Sequence, residues 1–227
     1  MTERVIIFDA STLITFAMNG LLEELKKLKE HFKGKFIITK EVKYEIIDRP
    51  INIKRFELEA IKLKTLFDQN ILEMPTSLGM NDIEISEKGK KLMEIANETF
   101  EGNGKKIHLV DVGETSSLAL SKMLNEKKVP NVLAVDERTA RMLSEKPENL
   151  KNLFQKKLKV RIISNQENYK YFQGLKFIRS AELIYVAHKK GLTRWKSEKV
   201  LDALLYATKF KGCSISDHEI EEIKRIK

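Results

Sequence analysis

Cysteine is nearly absent from this chain. Cys213 stands alone among 227 residues, which excludes an internal disulfide framework and any zinc cluster built on cysteines. Histidine is scarce too: His31, His108, His188 and His218 are scattered with no metal-ligand spacing. No apolar run approaches the roughly 20 residues needed to span a bilayer, so no membrane partner is expected. The chain opens on a strand-like run, without a basic region leading into an apolar one, so a signal peptide is not expected. Internal repeats and low-complexity segments are lacking, and no glycine-rich phosphate loop follows the first strand. Together these absences fit a protein of the reducing cytoplasm.

What is present points elsewhere. Hydrophobic residues make up 42% of the chain, enough for the core of one large domain. The charged fraction is 33%; with its Lys, Glu and Ile it resembles the usage of thermophiles. The net charge of +9 is unevenly placed. Residues 151–227 hold 18 Lys and Arg against 8 Asp and Glu, a net of +10, whereas residues 1–150 hold 24 against 25, a net of −1. A basic excess in one part and acidic clusters in another suit a polyanion held through a metal. The plain reading of the lysines is a solvated surface.

Strand and helix patterns alternate. RVIIF (4–8) reads as a buried strand, and DAST opens a helix with Ser11 or Thr12 as cap candidates. Asn19-Gly20 divides the helical stretch that follows. A second strand is expected at 35–39, then a helix capped by Thr39 and stopped near Pro50. Residues 51–70 and 85–100 read as helices, ILEM before Pro75 as a short strand, and EGNGKK as a turn. NVLAV is a third strand and KVRIIS, at 159–163, a fourth. The remainder reads as all-helical, ending in a helix capped at Ser216 with Glu219 three residues on. This order implies an α/β fold with a mostly parallel sheet covered on both faces.

Four acids stand where strands stop or helices begin: Asp9 after VIIF, Glu45 in EVKYEII, Glu114 in DVGETSSLAL and Asp136 in NVLAVDERTAR. Ligands of open α/β sheets bind outside the carboxyl ends of the strands. Carboxylates gathered there repel one another unless a cation neutralises them, and hard oxygen donors suit Mg²⁺ or Mn²⁺. Each acid has a structural alternative, as a helix cap or a charge on the helix dipole. As a set they exceed what capping supplies. Asp111, three residues before Glu114, and Glu137, beside Asp136, are further candidates. Arg138 and Arg141 stand ready for a phosphate or for the acids themselves.

FDAST, EVKYEII, DVGETSSLAL and VDERTAR, in this order and spacing, resemble the PIN-domain nucleases, and most closely their VapC-like prokaryotic and archaeal branch. SAELIYVAHKKGL followed by VLDALLYATKFKGCSIS is similar to the helical ending of that branch. The resemblance implies a three-layer α/β/α fold: a PIN-like catalytic domain at 1–165, enlarged by a helical insertion at about 50–106, with C-terminal helices, 166–227, packed on it. It implies that Asp9, Glu45, Glu114 and Asp136 hold one or two Mg²⁺ or Mn²⁺ ions and hydrolyse RNA phosphodiester bonds, as in toxin–antitoxin ribonucleases. Ser11 matches the small hydroxyl residue that follows the first acid. RNA is then the expected partner, alongside a second copy of the chain or an antitoxin-like protein.

On this reading Asp9 is the central ligand, Asp136 and Glu114 complete the shell, and Glu45 serves a second ion or orients the water. The basic tail is expected to hold RNA backbone through Arg179, Lys189, Lys190, Arg194 and Lys196, with Trp195 as a stacking surface or a core residue. The alternatives are a PIN-like RNA-binding protein without cleavage and a haloacid-dehalogenase-type phosphatase. The latter wants an Asp where Ser11 stands.

Overall fold

The computed structural model describes residues 3–197 and 199–226. Four parallel strands form the central sheet: β1 (Val5–Phe8), β2 (Lys35–Ile37), β5 (Asn131–Ala134) and β7 (Phe177–Ile178), in the order β2-β1-β5-β7. A second, antiparallel sheet joins β3 (Phe100–Gly102), β4 (Lys105–Lys106) and β6 (Ile162–Ser164) in the order β4-β3-β6. Helices α1 (Ala10–Met18), α2 (Leu22–Phe32), α3 (Lys40–Lys43) and α4 (Glu57–Asp68) come from the first part of the chain. Then follow α5 (Asp82–Asn97), α6 (Val112–Glu126), α7 (Arg138–Glu145) and α8 (Pro147–Leu158). The chain ends with α9 (Ser180–Lys189), α10 (Val200–Phe210) and α11 (Asp217–Arg225). No described helix is long and apolar enough to cross a membrane.

The sheet forms where the sequence is apolar on both faces. All four residues of β1 are buried, and alternate side chains enter different cores. Val5 and Ile7 join Ile37, Leu133 and Val135 under α5 and α6. Ile6 and Phe8 join Phe36, Ile38 and Ala134 under α1, α2, α4 and α9. Buried on both sides, the strands carry no polar alternation, as expected for a parallel sheet with helices on each face. β7, α9 and α10 are part of this body: β7 is a strand of the central sheet, and Leu183, Ile184 and Leu204 belong to its second core.

Several expectations are corrected here. KVRIIS does not enter the central sheet. Ile162 is buried but Ile163 is 63% exposed, and that alternation suits a sheet with one wet face, where β6 pairs with β3. The fourth parallel strand is Phe177–Ile178, in a stretch read as helix, and Gln166–Phe172 is 3-10 helix, so the tail is not all-helical. Two strand residues are too few to show a period. EGNGKK is the tip of a hairpin, β3–β4, so the segment 50–106 is not purely helical. ILEM supplies a single bridge, Glu73 to Ile37. Asp9, not Ser11 or Thr12, caps α1.

Helix α6 is held close to α5. A Cβ on Gly89 of α5 would lie 3.0 Å from Ser116 Cα and 3.1 Å from Ser116 N. Ser116 is itself fixed, its hydroxyl 2.7 Å from Thr39 Oγ1 and donating to Gly113 O at 2.7 Å. This contact sets the start of α6, and with it Glu114. Gly89→Ala is expected to lower the denaturant midpoint, losing roughly 1–3 kcal/mol to overpacking, although alanine is the better helix former by ~1 kcal/mol. An unchanged or raised midpoint would show that α5 and α6 are free to separate.

Candidate active site

The carboxyl ends of β1 and β5 lie side by side, because Ile7 pairs with Leu133 and Phe8 with Ala134. Asp9 follows β1 directly. It is 3% exposed, and its Oδ2 accepts from Ser11 N at 3.1 Å and from Ser11 Oγ at 2.6 Å. The Ser11 hydroxyl also accepts from Asp136 N at 3.1 Å. One serine therefore ties the two strand ends together. Burial pushes the Asp9 carboxyl upward against the opposing effect of its bonds to Ser11, and the Glu137 charge adds to the rise.

Glu114 approaches from the first turn of α6. Its Oε2 accepts from Asp111 N at 3.2 Å, while its Oε1 is buried without a partner. Burial, followed by the Asp9 and Glu137 charges, pushes Glu114 up to about 9. Glu45 sits on the π-helical turn Tyr44–Asp48 that follows α3. Its carboxylate lies against Gly113, where a Cβ would fall 2.7 Å from Glu45 Oε2. Burial first, then the charges of Asp9, Asp111 and Glu137, pushes Glu45 up to about 7, and Arg49 opposes the rise.

The structure thus brings Asp9, Glu45, Glu114 and Glu137 into one electrostatic field. Asp111 stands at its edge, exposed and 2.8 Å from His108 Nε2. Asp136, expected among the ligands, is seated differently. It is fully buried, its Oδ1 accepts from Ser180 N at 2.7 Å at the start of α9, and it neighbours Cys213, whose thiol is pushed up to about 12 by burial first and by this acid next. Asp136 Oδ2 has no partner. Successive extended residues project to opposite sides, so Asp136 turns into the body and Glu137, at the start of α7, meets the other acids. That alternation was the signal in VDERTAR that separates the pair.

A groove of about 940 Å³ runs from Glu45, Asp111 and Gly113 along α5. It holds a second acid pair not singled out from the sequence: Ser86 Oγ donates to Glu41, and Glu41 Oε2 and Asp82 Oδ1 are buried without partners. Among the described residues, no three acidic, histidine or cysteine side chains stand ready to coordinate a metal. The central acids nonetheless suit a hard cation by chemistry, being oxygen donors only, mutually repelling, with one buried oxygen unpartnered.

The basic candidates divide. Arg179 is 8% exposed, bridging Glu182 and Glu219 and donating to Ser214 O, so it braces the tail. Arg138 and Arg141 donate to Ser214 Oγ and Ser214 O, close to Glu137 in the chain. Arg194 is engaged with the buried Glu24 at 3.1 Å and with Gly20 O, and lies over the Trp195 ring. Trp195 is 45% exposed and so is not a core residue. Lys189, over the Tyr185 ring, is exposed, as are Lys190 and Lys196. Comparison with family models, curated proteins and solved structures finds no match to this chain.

These pKa directions fix a dependence of stability on pH. With its carboxyl raised from 4.5 to about 9, Glu114 holds a proton in the fold that the unfolded chain gives up. Its contribution is present at low pH and lost as pH rises through about 9. The metal-free protein is expected to melt several degrees lower at about pH 9 than at about pH 6, at ~2–4 °C per kcal/mol. Glu114→Gln, a mimic of the protonated form, should raise the melting temperature at the alkaline end and flatten the profile. A variant with the wild-type profile would remove Glu114 from the buried acid group.

Proposed function

We propose that the chain is a divalent-metal-dependent endoribonuclease of the PIN-domain type, with Asp9, Glu45, Glu114 and Glu137 as its acidic centre. The observation that carries this reading is the placement of Asp9 and Glu137 just past the paired carboxyl ends of β1 and β5, with Glu114 in the first turn of α6 and Glu45 against Gly113; burial and like charge raise Glu114 and Glu45 there. A stability-minded fold has no use for such repulsion, and perturbed acids at a strand-end crevice are what a hydrolytic site needs. Glu137 takes the place expected of Asp136.

A bound Mg²⁺ or Mn²⁺ would supply an activated water and neutralise a phosphate oxygen. Asp9 and Glu114 would hold it from the ends of β1 and α6, with Glu137 closing the set. Ser11 keeps the Asp9 carboxylate fixed and acceptor-only toward the site. Glu45, poised near neutrality, is suited to take a proton from an attacking water. Lys189, Lys190 and Lys196 offer exposed cations for the RNA backbone, and their contribution would fall with salt.

A second reading, a PIN-like RNA-binding protein that does not cleave, draws on one observation: no three described side chains are preassembled for a metal. Asp9→Asn separates the two. Asparagine caps a helix as well as aspartate, so α1 should stay intact. Mn²⁺-dependent cleavage of RNA is expected in the wild type and should fall in the variant by more than the roughly 10–100-fold that loss of an outer-shell partner costs. Cleavage by the variant at the wild-type rate would contradict the mechanism. A wild type that binds RNA but leaves it whole with Mn²⁺ would favour the second reading.

A further inference from the structure

An apolar slot opens beside the acids. It measures about 320 Å³ and lies between α1, the π-helical turn and the start of α4. Ile14, Met18, Ile53 and Phe56 wall it, each between 37% and 48% exposed. Large apolar groups clustered in water around a concavity mark a place where something binds. Glu45, Arg49 and Glu59 supply its charges. Glu45 belongs to both the slot and the acid group, so the two share a wall.

One guanidinium, Arg49, lines this slot, and a second, Arg55, stands beside its Phe56 wall. Arg49 lies close enough to Glu45 to favour its ionised form. Arg55 lies over the Phe56 ring, 5.3 Å from its centroid. The carboxylates adjacent in sequence are already taken, Asp48 by Lys43 and Glu57 by Lys54.

We propose that this slot receives one unstacked base of a single-stranded nucleic acid, with its flanking phosphates on Arg49 and Arg55. The inference rests on the reading above that a phosphodiester lies at the acids, and it adds to that site a subsite for the base next to the reacting phosphate. Aromatic and aliphatic walls accept the π-face of any base. Guanidinium forks match phosphate oxygens. A base stacked inside a duplex cannot reach such a slot without being extruded.

The test is the fluorescence anisotropy of a short labelled oligoribonucleotide of mixed sequence, titrated with the full chain in EDTA, so that neither cleavage nor metal enters the readout. The same strand made abasic and the same strand in a duplex are the comparison probes. The base-bearing single strand is expected to bind tightest. Phe56→Ala should weaken it roughly 5- to 100-fold and bring it level with the abasic strand, and Phe56→Trp should restore it. Arg49→Gln should weaken base-bearing and abasic strands alike. Met18→Gln, on the same wall, replaces Phe56→Ala if that variant does not show the wild-type circular dichroism.

Equal binding by wild type and Phe56→Ala, or equal binding of base-bearing and abasic strands by the wild type, would overturn the proposal. So would a Phe56→Ala variant that loses self-association while its oligonucleotide binding is unchanged, which would give the slot to a second copy of the chain. A protein that shows these differences yet cleaves nothing keeps the slot and loses only the nuclease reading. A protein that cleaves with Phe56 irrelevant does the reverse.

Discussion

Everything about this molecule's edge follows from one constraint: carboxylates cannot share a poorly solvated space without a counter-charge. Asp9 is almost wholly buried, and Glu114 has a buried oxygen with no partner. Removing such groups from water disfavours their ionised forms, and each neighbour of like sign adds to the cost. The fold could have relieved this with a guanidinium, as it does elsewhere. Glu24, equally buried, is answered by Arg194, and Glu182 and Glu219 by Arg179. At the centre no described cation makes an ion pair with Asp9 or Glu114. An arrangement that leaves its acids unanswered is one that a metal can complete.

The scaffold makes that arrangement rigid. Pairing of β1 with β5 fixes Asp9 beside the Asp136–Glu137 step, and the Ser11 hydroxyl locks the two strand ends. Asp136 then anchors α9 through the Ser180 amide, and its carbonyl accepts from Ser214 N at 3.0 Å. Ser214 in turn gathers Arg138, Arg141 and Arg179. The C-terminal helices therefore reach the acid centre through hydrogen bonds and not only through packing. Asp136, expected to hold a metal, also holds the tail to the sheet through Oδ1, and its Oδ2 has no partner.

Much of this was legible in the chain. The apolar runs VIIF and NVLAV had to be buried strands, and the acids after them had to lie at the carboxyl edge. Thr39 and Ser216 announced their helices as caps do. What was not legible depended on three dimensions. Phe177–Ile178 is too short to carry a period and becomes a strand only because β5 offers an open edge. Arg179 and Arg194 read as free cations until Glu219 and Glu24, 40 and 170 residues away, come against them. The slot beside Glu45 joins Met18 to Phe56 across a break in the helical pattern, and no local signal links them.

The central claim is that the acids form one cation site whose members give up protons to fill it. Calorimetric titration of Mn²⁺ into the metal-free chain, repeated in buffers of different ionisation enthalpy, measures both binding and proton release. Ligands must be deprotonated to bind, and burial among like charges raises Glu114 to about 9 and Glu45 to about 7. The account predicts saturable binding that releases protons, more of them as the pH is lowered from about 8 toward about 6, and fewer at each pH in Glu114→Gln. Absence of binding, or binding with no proton released at any pH in this range, would contradict it.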